Sequence, residues 1–183
     1  MKTKNLVLCG ICAAIMAILS PIPFSIGAIP ITLGYFAAFI CSGVLPPKLS
    51  STTQIVYLLL GAVGLPVFSN FGGGLEKLVG PTGGFLLGYP IMAFVISLML
   101  DYYDKRIQRG AVLRTVWTVA TLIIGAVIGH TFGTVWYIAR MHVTTVQAIM
   151  ATTVPFIVPE IIKITAATFL LPILRKHIRP MAK

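Results

Sequence analysis

Acidic side chains are what this chain has least of. Four of its 183 residues are Asp or Glu, against fourteen Lys and Arg, and charged residues of both signs make up only 10%. A soluble domain carries about 25%, and so few charges cannot cover the surface of a soluble protein of this size. Nucleotide and metal motifs are missing as well. No G-x-x-x-x-G-K-[ST] loop occurs and no H-E-x-x-H, and His130, His142 and His177 are scattered in the way of packing or interface histidines. No nucleophile, base and orienting group stand together, so no catalytic residue, metal or cofactor is assigned and the chain is not read as an enzyme. Cysteine is sparse. Cys9 and Cys12 have C-x-x-C spacing, but with no second pair and no nearby histidine they read as small packing residues, as does Cys41.

What fills the chain is hydrocarbon. Hydrophobic residues make up 57% and the mean hydropathy is +0.97, which places the protein in a lipid bilayer as an all-α integral membrane protein. Runs bounded by Pro, Gly and charge predict six spans in one membrane domain, residues 1–183. They are Asn5–Ser20, Ile31–Leu45, Thr53–Val67, Gly84–Leu100, Val112–Ile138 and Ala148–Leu174. A span needs about 20 apolar residues, so the first three must lean on neighbours. Lys2 and Lys4 precede the first run, but no small-residue cleavage site follows it, so it is read as a helix rather than a signal peptide.

The cations choose an orientation. With a cytoplasmic amino terminus, the inner side holds Lys2, Lys4, Lys48, Lys105, Arg106, Arg109, Arg114, Arg175, Lys176, Arg179 and Lys183, whereas Lys77 and Arg140 fall outside and Lys163 lies within the sixth span. That is the positive-inside pattern, with both termini cytoplasmic. Cations confined to the gaps between apolar runs do not form the aromatic-studded basic face that nucleic acid requires. Asp101 and Asp104 share the inner loop with Lys105 and Arg109 and are expected to pair there.

The outer loops have a different character. Pro21–Pro30 is uncharged and apolar, and residues 64–84 are rich in glycine, which allows positive φ and close backbone approach. Asn70 in that loop is either a ligand contact or a left-handed turn residue. Phe68, Phe71, Phe85 and Tyr89 flank it and could wall an apolar pocket. The sharpest local signal is the segment Val154–Lys163, where Glu160 and Lys163 stand one turn apart at membrane depth. Pro159 suits a helix N1 position, with Glu160 in the first turn. The pair is either a self-neutralising structural bridge or a polar patch for an amphipathic ligand, Lys163 suiting a carboxylate and Glu160 accepting N–H groups. In the first helix Ala13 and Ala17 form a small-xxx-small pair, with Ala14 and Gly10 beside it.

These segments resemble a known family. Gly64-Leu65-Pro66-Val67-Phe68, the glycine run after it and Gly80-Pro81-Thr82-Gly83-Gly84 are similar to the signature of the BioY family, the biotin-specific S components of energy-coupling factor transporters. Pro30-Ile31-Thr32-Leu33, Pro47-Lys48 and the proline–acid–x–x–Lys segment ending at Lys163 add to the likeness. The resemblance implies a six-helix S-component fold in a prokaryotic cell membrane, with biotin held near the outer face. It implies as partners a membrane coupling (T) protein and two cytoplasmic ABC ATPases, which would supply the missing nucleotide chemistry. It implies ligand contacts at Asn70, Glu160 and Lys163, a pocket including Phe68, Gly80, Thr82, Gly83 and Tyr89, and docking of the coupling protein through Ala13 and Ala17. Two departures stand out, since many relatives have aspartate in place of Glu160 and glutamine in place of Gly34. The competing readings are an S component for another small vitamin and a membrane scaffold without ligand. Which polar residue would hold which end of biotin stays open, because Glu160 and Lys163 are adjacent while the ligand's polar ends are far apart.

Overall fold

The computed structural model describes residues 3–24, 31–107 and 110–179. Most of the loop Pro21–Pro30 and Arg109 therefore lie outside the described residues. The chain is a helical bundle. In order, α1 is Thr3–Leu19, β1 Pro23–Phe24 pairs antiparallel with β2 Ile31–Thr32, α2 is Gly34–Val44 and α3 Pro47–Ala62. A short helical turn Ser69–Phe71 and α4, Leu75–Val79, lead to α5, Gly83–Tyr102, which runs on into a π-helical turn, Tyr103–Ile107. The last three helices are α6, Ala111–Met141, α7, Thr145–Thr152, and α8, Ile157–Ile178, the latter two joined by the turn Val154–Phe156.

Three helical stretches among the described residues are long and apolar enough to cross a membrane: Gly83–Ile107, Ala111–Met141 and Thr145–Ile178. The first and second helices are apolar but shorter. Two expected boundaries move. The third helix begins at Pro47, six residues before Thr53, because proline fits N1 and the Thr52 and Thr53 hydroxyls bond back to the Lys48 and Leu49 carbonyls. The expected sixth run, Ala148–Leu174, is broken at Val154-Pro155, so α7 ends there and α8 starts afresh. Pro159 is the third residue of α8 rather than the first, still in the turn whose N–H groups need no helical partner. Glu160 is in the first turn as expected.

α5 and α6 make the most extensive helix pair, and glycine permits their approach. A Cβ on Gly84 would lie 2.6 Å from the Phe132 carbonyl oxygen and collide with the Trp136 side chain. Backbone cannot step aside as a side chain can. Gly84→Ala is expected to cost about 1–3 kcal/mol through overpacking, read as a lower midpoint of thermal unfolding in detergent. The turn after α6 is equally determined. His142 stops the helix in left-handed conformation at φ 52°, and Thr144 and Gln147 then form a reciprocal capping box that starts α7.

One end of the bundle is tied by arginine. Arg175 on α8, 4% exposed, bonds Asp104 at 2.6 Å and Asp101 at 3.2 Å, and donates to the Gly43 carbonyl at the end of α2. Arg179 also pairs with Asp101, and Arg114 with Asp104 at 3.1 Å. Besides the Lys105 and Arg109 of the local reading, of which Arg109 lies outside the described residues, the two aspartates thus have Arg114 ten residues on and Arg175 and Arg179 at the far end of the chain as partners. A helix that brings Arg175 inward supplies a buried guanidinium with five donors, which holds both carboxylates and a helix-end carbonyl at once. All three cysteines are free and buried, with the Cys41 thiol donating to the Cys12 carbonyl.

Candidate functional site

At the opposite end, the residue after α1, β2, the amino-terminal parts of α2, α5 and α8, and the loop before α5 surround a cavity. Counted together with the open solvent at its mouth, the empty space there is about 600 Å³. Its wall is largely aromatic. Tyr35 and Tyr89 meet edge to face at 5.3 Å, and Phe85 stacks on Phe156 at 6.4 Å. Phe68 also lines the cavity and is 1% exposed, its ring seated where Gly61 has no side chain.

Polar groups are few and pointed. Lys163 lines the cavity, 6% exposed, with its Nζ 2.8 Å from Glu160 Oε1 and 5.8 Å from the centre of the Tyr35 ring. The second Glu160 oxygen, Oε2, is buried and has no hydrogen-bond partner among the described residues. The Ser20 and Tyr35 hydroxyls, both on the cavity wall, are also buried and unpartnered among the described residues. An unmet buried polar atom costs about 1–3 kcal/mol. Several of them around one cavity are what a ligand with its own donors and acceptors would satisfy. Room for it is kept by Gly34, whose absent Cβ would lie 2.8 Å from the Tyr89 hydroxyl, 2.9 Å from Ser20 Oγ and 3.1 Å from Thr32 Oγ1.

Of the residues expected at the site, Lys163, Phe68, Thr82 and Tyr89 line this cavity, and Glu160 joins them through Lys163. Asn70 is not brought to it. It stands exposed at the tip of a tight turn closed by Phe68 N–H to Gly72 O at 2.9 Å. Its φ of 58° is left-handed, and its own N–H donates to the Pro21 carbonyl. Phe71 follows at φ 52° and is 65% exposed, so two successive left-handed residues turn it out of the wall it was expected to join. Gly80 and Gly83 serve packing. The Gly80 carbonyl accepts the Trp136 indole N–H at 2.9 Å, and Gly83 is buried against the Leu78 backbone with no room for a side chain. On α1, Ala13 is 2% exposed inside the chain's own bundle, because it shares a helix face with Cys9, Cys12 and Met16. Ala17 is half-buried, and Gly10 and Ala14 are exposed.

Ser20, Thr32, Tyr35 and Phe156 are at the cavity too, Thr32 and Phe156 having been noted only as parts of longer segments and the other two not at all. Each is an ordinary residue within or beside an apolar run, and only the position of the first two at the edges of the loop Pro21–Pro30 hinted at them. His130 packs among Tyr35, Phe85 and Phe156, with ring centres 5.4–5.7 Å away.

The comparisons with known proteins bear on this site. The model of the BioY family matches residues 1–180. The chain belongs to the BioY family. Relatives in it include the "Probable biotin transporter BioY" of Pyrococcus horikoshii, 34% identical over 93% of this chain and 95% of that protein. The "Biotin transporter BioY" of Thermotoga maritima is 33% identical over 94% of this chain and 96% of its own length. Among solved structures, the S-component for biotin from an ECF-type ABC transporter superposes with a TM-score of 0.84 at 22% identity, covering 100% of this chain and 97% of that one. At that identity the likeness establishes a shared fold. The family's S-component architecture is therefore the one built here by these helices.

Proposed function

We propose that this protein captures biotin at the outer membrane face and delivers it into the cell as the S component of an ECF transporter. The observation that carries the reading is the buried Glu160–Lys163 pair facing an aromatic cavity, with Glu160 Oε2, Ser20 Oγ and Tyr35 Oη unmet. Biotin offers what that wall asks for. It has a flat ureido group with N–H donors and a carbonyl, an apolar sulfur ring and a carboxylated chain, and both relatives are named for its transport. Phe68 and Tyr89 would sandwich the rings, and Thr82 would add a hydroxyl at the mouth. Gly80 and Gly83 would shape the loop, and Asn70 would join only by closure of that loop over bound ligand.

In this reading the chain is one membrane domain of six spans, with both termini in the cytoplasm of a prokaryotic cell. It carries no nucleotide site of its own, and a coupling T protein with two ABC ATPases energises it. The docking face would be the small-residue strip of α1 made by exposed Gly10 and Ala14 and half-buried Ala17, with Ala13 turned inward. Ala17→Leu is expected to reduce co-purification with the coupling protein at least severalfold while leaving biotin binding unchanged. Normal co-purification would remove this face from the account. The function itself is tested by accumulation of labelled biotin in cells lacking other biotin uptake. Uptake above background with the T protein and ATPases present supports it, and no uptake with the whole assembly in the membrane refutes it.

A further inference from the structure

Lys77 sits at the mouth of the same cavity, on the short helix α4, and nothing so far gives it a task. It lines the cavity and is half-buried. Its stem crosses the loop at Gly72. A Cβ there would collide with Lys77 Cε and lie 3.1 Å from Nζ. The missing side chain at Gly72 thus forms the groove that directs this lysine over the opening. Among the described residues no carboxylate forms an ion pair with it, since Asp101, Asp104 and Glu160 pair with other cations. Glu76, the remaining acid, is exposed on α4.

Lys163 is placed differently. Its charge is already matched by Glu160 at 2.8 Å, and both side chains are buried. Bringing a carboxylate to that pair would add an unbalanced negative charge in a low-dielectric site and set it against Glu160. What the pair offers is one cationic donor beside one open acceptor, Glu160 Oε2, which suits a neutral group bearing both N–H and C=O. A ligand with such a head and an acidic tail therefore needs a second cation, farther out and unpaired.

We propose that Lys77 is the residue that pairs with the ligand's carboxylate, leaving Glu160 and Lys163 to the neutral ureido end. This assignment rests on the biotin reading above, and it removes the conflict between two adjacent polar residues and two distant ligand ends. Because the mouth is partly solvated, the contribution is moderate and falls as salt is raised.

The test is equilibrium binding of biotin and of the uncharged biotinamide to the detergent-purified full chain. Lys77→Gln is expected to weaken biotin about tenfold, between the effects of exposed and buried ion pairs, and to change biotinamide less than about twofold. Lys77→Arg should restore most of the loss. Gly72→Ala keeps the charge but displaces the side chain, at a backbone of φ −80° that alanine adopts freely. It should show the same selective loss. Equal weakening of both ligands, or of neither, overturns the assignment while leaving biotin as the substrate. Failure of the unaltered protein to bind either ligand overturns the biotin reading and this assignment together.

Discussion

Lys163→Ala is expected to reduce biotin affinity a hundredfold or more. The substitution leaves Glu160 buried with neither oxygen paired, and truncating one partner of a buried hydrogen-bonded charge pair costs about 2–5 kcal/mol. A hundredfold corresponds to about 2.8 kcal/mol. The loss should be the same for biotin and biotinamide, which separates it from the effect of Lys77. Glu160→Gln keeps the shape and an acceptor but strands the ammonium, so it is expected to weaken binding by a comparable order. Calorimetric titration of monodisperse variants measures both. If Lys163→Ala bound biotin as the unaltered protein does, the ion pair would be purely structural and the ligand contacts would lie elsewhere in the cavity.

The second large effect lies at the other end. Arg175→Met removes the buried guanidinium that joins α2, α5 and α8 through Gly43, Asp101 and Asp104. Asp101 keeps Arg179 and Asp104 keeps Arg114, so the aspartates are not abandoned altogether. The expected loss of stability is about 3 kcal/mol, the lower end for breaking a buried ion pair. It would appear as a reduced thermal midpoint and a smaller monodisperse fraction after detergent extraction. Biotin affinity of the folded fraction should be unchanged, since the cavity is at the opposite end of the bundle. Loss of binding in well-folded Arg175→Met would mean that the two ends are energetically coupled.

Sequence periodicity and punctuation located the helices better than their ends. The first helix, the pair at 84–100 and 112–138, and the charged segment at Glu160 were visible because hydropathy and the cost of burying charge act locally. The start of α3 was hidden because Lys48, Ser50 and Thr52 look like loop, yet the Ser50 hydroxyl bonds the Ala93 carbonyl of another helix. The break before α8 was written in Pro155 but was outweighed by the apolar run on both sides. At the site, Lys163 was legible because a cation inside a membrane span has no cheap explanation. Tyr35 and Ser20 were not, since their significance is the absence of a partner, a property of the assembled fold. Asn70 shows the converse. Its chemistry suited a ligand or a left-handed turn equally, and in this conformation its backbone serves the turn; what composition did not show is that Phe71 follows it in the same left-handed region.

The measurement that tests the account most directly is calorimetric titration of biotin into the detergent-purified protein. Trp136 supplies a second signal, because its indole donates to Gly80 in the loop over the cavity and should respond to ligand. The account predicts saturable binding at one site per chain, weakened a hundredfold or more by Lys163→Ala. A folded, monodisperse protein that releases no heat with biotin and shows no change at Trp136 would contradict it.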